Sequence, residues 1–364
     1  MTPFWVALLI KLGVTTVLLI AISLLLFIVS WAERKQSALI QDRIGANRAK
    51  LFGVRAWGLW HNLADTLKLI LKEDYVPPTG DKLLHTLAPF LAMFCAMASF
   101  AVIPYGPPVT LFGHTFDLQV APLNVGLLYI FAMMSIGIYG FVLAGYASNN
   151  NYAFLGGLRA ASQMISYEVT MGATIVGLLL CYNTLDLQQM VIRQGDLLWG
   201  WLPAWGLVLQ PVGFFLFMAA GTAETKRIPF DLPEGESEII GYYVEYSGMK
   251  YGMFFSADLL ESILVACLAA TLFLGGWQLP YLTAGGFLLP GGLTWALPHW
   301  LVVALQVGAF AFKVVLVSWV MMTVRWTLPR FRYDQLMKLG WTFLLPISLA
   351  NILLTGAVIV ALGA

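Results

Sequence analysis

Apolar stretches of about 20 residues recur along this chain from one end to the other, and each is long enough to cross a hydrocarbon core. There is no water in that core, so backbone N–H and C=O groups must bond within their own segment, and helices follow. Charged residues make up 11% of the chain and mean hydropathy is +0.80, where a soluble domain has about 25% charged residues. The fold expected is an all-α polytopic membrane protein, a single integral membrane domain over residues 1–364. A net charge of +1 gives no footprint for a nucleic-acid partner.

Eight transmembrane spans are expected, roughly at 4–31, 83–103, 120–147, 160–182, 205–223, 253–277, 300–324 and 341–362. The first is broken only by Lys11, which snorkels, and it is too long for a signal peptide, so it reads as a retained helix. Positive charge then sorts by loop. The loops after the odd-numbered spans hold nine, one, three and four Lys/Arg, and the others hold zero, one and zero. Lys and Arg accumulate on the cytoplasmic side. The cytoplasmic loops are therefore about 32–82, 148–159, 224–252 and 325–340, and both termini face the opposite side. The first loop contains an amphipathic helix, with Ala56, Trp60, Leu63, Leu67 and Ile70 on one face and Asp65, Lys68 and Lys72 on the other. A membrane-surface role and a partner-docking role both fit it. The stretches 104–119 and 278–299 read as passive connectors, and 183–204 as containing a short surface helix.

Ionisable residues inside spans are costly and usually face a cavity or each other. Glu168 stands in SQMISYEVT beside Ser162, Ser166 and Tyr167. Asp258 and Glu261 are three apart and share a helical face, and Lys313, one span later, is a candidate counter-charge. A structural ion pair and a proton-handling role both stand for Lys313; for Glu168 no cation is near in sequence. The segment Glu224–Lys250, ETKRIPFDLPEGESEIIGYYVEYSGMK, holds six of the nineteen acidic residues. Pro229 and Pro233 bar a regular helix across its start. Carboxyls this close titrate as a coupled set, so either a solvated acidic loop or a proton path fits. The three cysteines and four histidines have no metal-ligand spacing, so no metal site and no cofactor bound by this chain alone are expected.

This central segment resembles the hallmark segment of the H subunit of proton-pumping NADH:quinone oxidoreductase, respiratory complex I. AERKQSALIQDRIGANR, LADTLKLILKED, SNNNYAFLGGLRAASQMISYE, LFLGGW and RWTLPRFRYDQLMKLGW extend the resemblance along the whole chain, in order. The resemblance implies eight transmembrane helices in a bacterial inner (plasma) membrane, with both termini periplasmic. It implies a protein that forms the membrane side of the quinone chamber, with quinone as substrate. Flavin and iron–sulfur clusters are then expected in peripheral-arm partners, and small and antiporter-like membrane subunits beside it. By resemblance Glu33, Arg43, Arg48, Asp65, Lys68, Arg227, Phe230 and Asp231 belong to the chamber. Glu168, Glu224, Glu234, Glu236, Glu238 and Glu245 match the acidic proton path, joined here by Asp258, Glu261 and Lys313. Arg330, Arg332 and Asp334 lie on the docking side.

The chain departs from the family pattern at Ala46 (usually Pro), at Gly235 and at Asp258 (often Glu), and it has no acid between Asp117 and Glu168. Two alternatives remain, the equivalent membrane protein of a membrane-bound hydrogenase or ferredoxin-linked complex, and a free-standing proton or cation transporter. The near-complete PFDLPExExE and EYSGMK segments disfavour the first. The second calls for a pair of broken helices in matching halves, and no such pair is visible in the sequence.

Overall fold

The computed structural model describes residues 3–111, 114–198, 201–233, 235, 241–283, 285–289 and 293–362. The described helices, in chain order, are α1 (Pro3–Ile40), α2 (Trp60–Leu71), α3 (Lys82–Ser99), α4 (Gly126–Ala147), α5 (Asn151–Tyr182) and α6 (Leu187–Gln194). They continue with α7 (Gly206–Leu209), α8 (Pro211–Glu224), α9 (Gly248–Phe273), α10 (His299–Thr327), α11 (Tyr333–Lys338) and α12 (Leu345–Leu362). Seven described runs are long and apolar enough to cross a membrane: α1, α3, α4, α5, α9, α10 and the stretch Tyr333–Leu362. The remaining expected span, the fifth, corresponds to the shorter apolar helix α8.

Helix α9 is the centre of the bundle. From Leu259 to Phe273 every side chain is buried, whatever its direction, which is how a helix apolar all round must sit. Helix α1 and the Tyr333–Leu362 stretch instead expose most of their apolar surface. Small residues bring the inner helices together. A Cβ on Gly140 would stand 2.9 Å from the Ala88 carbonyl oxygen and 3.0 Å from the Ala92 Cβ, so α4 packs almost backbone to backbone on α3.

Several boundaries differ from the sequence reading, each for a local reason. Helix α1 runs on through the charged ERKQ stretch to Ile40, so Glu33 and Arg34 are helical and the first loop starts later than 32. Helix α5 starts at Asn151 rather than near 160, because the Asn150 side chain accepts the Tyr152 N–H at 3.0 Å and caps it. Helix α9 starts at Gly248 rather than 253. The expected fifth span is split at Gln210–Pro211, where proline supplies no N–H to continue the ladder. Buried Gln210 uses its amide on the last helix instead, donating to Thr355 at 2.5 Å and accepting from Asn351 at 2.6 Å. The segment Leu339–Leu344 is wound as a π-helix between α11 and α12. The expected connectors carry short antiparallel pairings, Val109–Leu111 with His114–Phe116 and Gly286–Leu289 with Leu293–Ala296. The surface helix expected within 183–204 is α6, capped by Asp186.

Close packing at Gly140 gives a direct test. Gly140→Ala is expected to destabilise the detergent-purified chain by about 1–3 kcal/mol through overpacking. Gly172→Ala, where a Cβ meets nothing within 4 Å, leaves the thermal midpoint unchanged or raises it.

Candidate functional site

Helix α2 lies across the end of the bundle where the charged side chains collect. Asn62 donates to the Phe27 carbonyl of α1 at 2.9 Å, and a Cβ on Gly252 of α9 would meet Leu69 at 3.1 Å. A cavity of about 520 Å³ opens between α2, the start of α9 and the segment before it. Arg34, Asp65, Lys68 and Lys72 line one side; Tyr243, Tyr246, Tyr251 and Phe255 line the other. Arg34 and Asp65 pair at 2.6 Å across its rim. Tyr246 stacks on His85 with ring centroids 3.9 Å apart, and burial pushes its phenol above the ordinary tyrosine range. Its hydroxyl has no hydrogen-bond partner among the described residues.

Behind this cavity the central segment is tied down by ion pairs. Glu33 on α1 accepts from Arg227 at 3.1 Å and also from Arg325 of α10, so one carboxylate joins three parts of the chain. Asp231 pairs with Arg330 at 2.9 Å. Burial raises the Asp231 carboxyl above the ordinary aspartate range, and Arg330 and Arg325 oppose that rise. Phe230 is buried against Tyr167 and stacks on Phe331, with centroids 5.4 Å apart. Gln163 caps the carbonyls of Ala223 and Phe230, both at 2.7 Å.

Deeper in the bundle lies the buried acid set. Lys226 Nζ is 2.8 Å from Asp258 and 3.5 Å from Glu261, and it sits 3.2 Å above the Phe141 ring. The Tyr242 hydroxyl donates to Asp258 at 3.1 Å. Glu224, at 1% exposure, has no hydrogen-bond partner for either oxygen among the described residues. The charges of Glu168, Glu261 and Lys226 all act on it. Glu168 accepts a short hydrogen bond from Ser135 of α4. Glu245 accepts from Asn150 at 2.9 Å.

The structure places the residues singled out in the sequence as follows. Asp65 and Lys68 line the cavity, whereas Glu33, Arg227 and Asp231 form the ion pairs behind it and Phe230 is packed inward. Arg43, exposed and bonded to Gln41, borders a separate cavity with Trp31 and Trp319. Arg48 is exposed, apart from both. Glu168, Glu224, Asp258 and Glu261 gather as described, and Glu245 stands at the α5 cap. Arg332 and Asp334 pair with each other at an exposed site, where such a pair is worth little. Glu234, Glu236 and Glu238 lie outside the described residues.

One expectation is overturned. Lys313 is not the counter-charge of Asp258 and Glu261, because it donates to the Gly276 and Gln278 carbonyls at 2.9 and 2.6 Å, beyond the far end of α9. Lys226 occupies that role. Nor do Ser162, Ser166 and Tyr167 serve Glu168. Ser162 bonds the Arg159 carbonyl and Tyr333, Ser166 the Ser162 carbonyl, and Tyr167 the Leu336 carbonyl. Sequence reasoning missed Lys226, Ser135, Tyr242, Asn150 and Arg325. For Lys226 a signal was present, since it stands two residues after an apolar helix ending in an acid. Among the described residues no three His, Cys, Asp or Glu side chains gather in a metal-binding group.

Comparison with known proteins decides the family. The family described as NADH dehydrogenase matches residues 13–356. The chain belongs to it. One relative, the NADH-quinone oxidoreductase H 1 subunit of Cytophaga hutchinsonii, is 44% identical over 331 residues, 91% of each chain. The H 1 subunit of the Geobacter metallireducens oxidoreductase is 42% identical over 98% of each chain. The H subunit of the Flavobacterium johnsoniae oxidoreductase is 39% identical, over 97% of this chain and 96% of its own.

The Asp231–Arg330 pair yields a pH prediction. A raised carboxyl holds its proton longer in the folded chain than in the unfolded one. Its contribution to stability is therefore full below the ordinary aspartate value and is lost as pH rises through the raised one. Asp231→Asn is expected to remove that dependence from thermal unfolding curves in the window just above the ordinary aspartate range. Arg330→Ala, which leaves a buried carboxyl without its cation, is expected to destabilise more than Asp231→Asn, by about 3 kcal/mol.

Proposed function

We propose that this chain is the membrane subunit of a proton-translocating NADH:quinone oxidoreductase, and that it couples quinone reduction to proton movement through its buried acids. Family membership and the names of the relatives support the assembly. The observation that carries the coupling is the set of acids reaching from the cavity end of the bundle inward, with Glu224 fully buried and both its oxygens unpartnered among the described residues.

The 520 Å³ cavity, charged on one side and aromatic on the other, suits a substrate with a polar, flat head and an apolar tail. Quinone is then received between α2 and the start of α9. Electrons come from iron–sulfur clusters of a peripheral arm seated on the charged end, and flavin belongs to that arm. Quinone reduction changes charge and proton demand beside the central segment. The ion pairs of Glu33, Arg227, Arg325, Asp231 and Arg330 tie that segment to α1, α10 and the stretch after α10, so a local charge change is felt across the bundle. Glu224, Glu261 and Glu168 pass protons on, toward antiporter-like subunits in the same membrane. In this reading the charged end faces the cytoplasm of a bacterial cell and both termini the periplasm, which the Lys/Arg bias of the loops supports.

The test is made in membrane vesicles. A tagged chain is expected to co-purify with flavin and iron–sulfur subunits and to carry inhibitor-sensitive, NADH-driven quinone reduction. Glu168→Gln and Glu224→Gln are each expected to lower proton pumping at least tenfold in assembled complex. Co-purification with a hydrogenase, or unchanged pumping in both variants, would remove the reading.

A further inference from the structure

The lysine at 226 is a costly residue to place where it stands. Its side chain is 1% exposed, and its backbone takes φ +55°, a left-handed conformation that residues other than glycine and asparagine adopt at a penalty. Its position turns the ammonium inward, over Phe141 and onto Asp258 and Glu261. A chain that needed only a turn after α8 would be better served by glycine or asparagine there.

The neighbouring groups define what the cation does. Asp258 and Glu261 face it from α9, Glu224 from the end of α8, and Phe141 from α4. Tyr242 holds the Asp258 carboxylate in place from the central segment. Arg227, already engaged by Glu33, acts on Glu261; Glu261 in turn acts on the Cys95 thiol of α3, and Glu168 of α5 acts on Glu224. Among the described residues two carboxyls thus contact one ammonium, and a third, Glu224, is buried within reach of its charge. Ionising all three together is costly, because among the described residues one ammonium, with Arg227 behind it, faces three buried carboxyls. The two contacts of Lys226 are unequal. Asp258 lies at ion-pair distance and is further fixed by a hydroxyl; Glu261 lies 0.7 Å farther away.

We propose that Lys226 forms a fixed ion pair with Asp258 and thereby confines the exchangeable proton of this site to Glu261 and Glu224. The proposal rests on the coupling role given above. In the step itself an O–H bond breaks at one carboxyl and forms at the other, the anion moves the opposite way, and nothing is oxidised or reduced. Lys226 is a positioning residue, since it neither gives nor takes the proton. It keeps Asp258 out of the exchange.

The experiment measures the pH profile of NADH-driven proton pumping in vesicles containing the complete complex, for Lys226→Met, Lys226→Arg, Asp258→Asn and the double variant Lys226→Met/Asp258→Asn. Assembly is checked on native gels. With Lys226→Met, Asp258 competes for the proton, so the acidic limb moves to higher pH by about one unit or more. Lys226→Arg keeps the native limb because the fixed charge remains. In the double variant the limb returns toward the native position, because the competing acid has left with the cation. Asp258→Asn alone frees the ammonium toward Glu261 and Glu224 and moves the limb to lower pH, which tests the proposal even if Lys226→Met does not assemble. An assembled Lys226→Met with a native profile overturns it, as does a double variant as displaced as Lys226→Met, or an Asp258→Asn profile identical to native. Glu224→Gln is measured alongside. Lost pumping there with a native Lys226→Met profile sinks this proposal alone, while unchanged pumping in Glu224→Gln sinks the coupling role as well.

Discussion

A charge buried among apolar helices must find an opposite charge or give up its ionisation, and the site follows from how this chain meets that demand. Glu33 is the clearest case. Its carboxylate on α1 holds Arg227 of the central segment and Arg325 of α10. The segment after α8, which two prolines keep from being a helix, is thereby fixed to elements far away in sequence. Asp231–Arg330 fixes it a second time, and Lys226 on Asp258 and Glu261 a third. With those ties in place the aromatic residues before α9 have a defined position, and the cavity against α2 has a wall.

The arrangement links two regions of different character. The cavity is partly open and mixes cations with tyrosines, a lining that suits the proposed substrate with its flat ring and apolar tail. The acid set is more deeply buried, and two of its members, Asp258 and Glu261, share one ammonium and so titrate as a coupled pair. Between them lie only a few residues of the central segment. In the proposed coupling, a change of charge in the cavity reaches the acids through those residues. Glu224 is the member the proposal singles out, being buried and unpartnered among the described residues.

Much of the fold was legible in the sequence, because span length and loop charge are one-dimensional properties. The helix ends were less so. The start of α5 depends on the Asn150 cap, and the extension of α1 on the pairing of Glu33 and Arg34 with residues from other elements. The site was legible as a set of acids and not as a set of partnerships. Lys313 was the cation expected for Asp258 and Glu261, because it sits mid-span in a neighbouring helix. It is instead taken up by the carbonyls of Gly276 and Gln278. Lys226, in a loop by sequence pattern, is the one that turns inward. Ser135 serves Glu168 from 33 residues away, a pairing that sequence spacing does not announce.

The proposed coupling requires Glu224 to change its protonation when quinone is reduced. Infrared difference spectroscopy of the purified complex in lipid reads this directly, through the carbonyl stretch of protonated carboxyls. The expected result is a band that appears or disappears on quinone reduction in the native complex and is missing in Glu224→Gln. Identical difference bands in the two would contradict it.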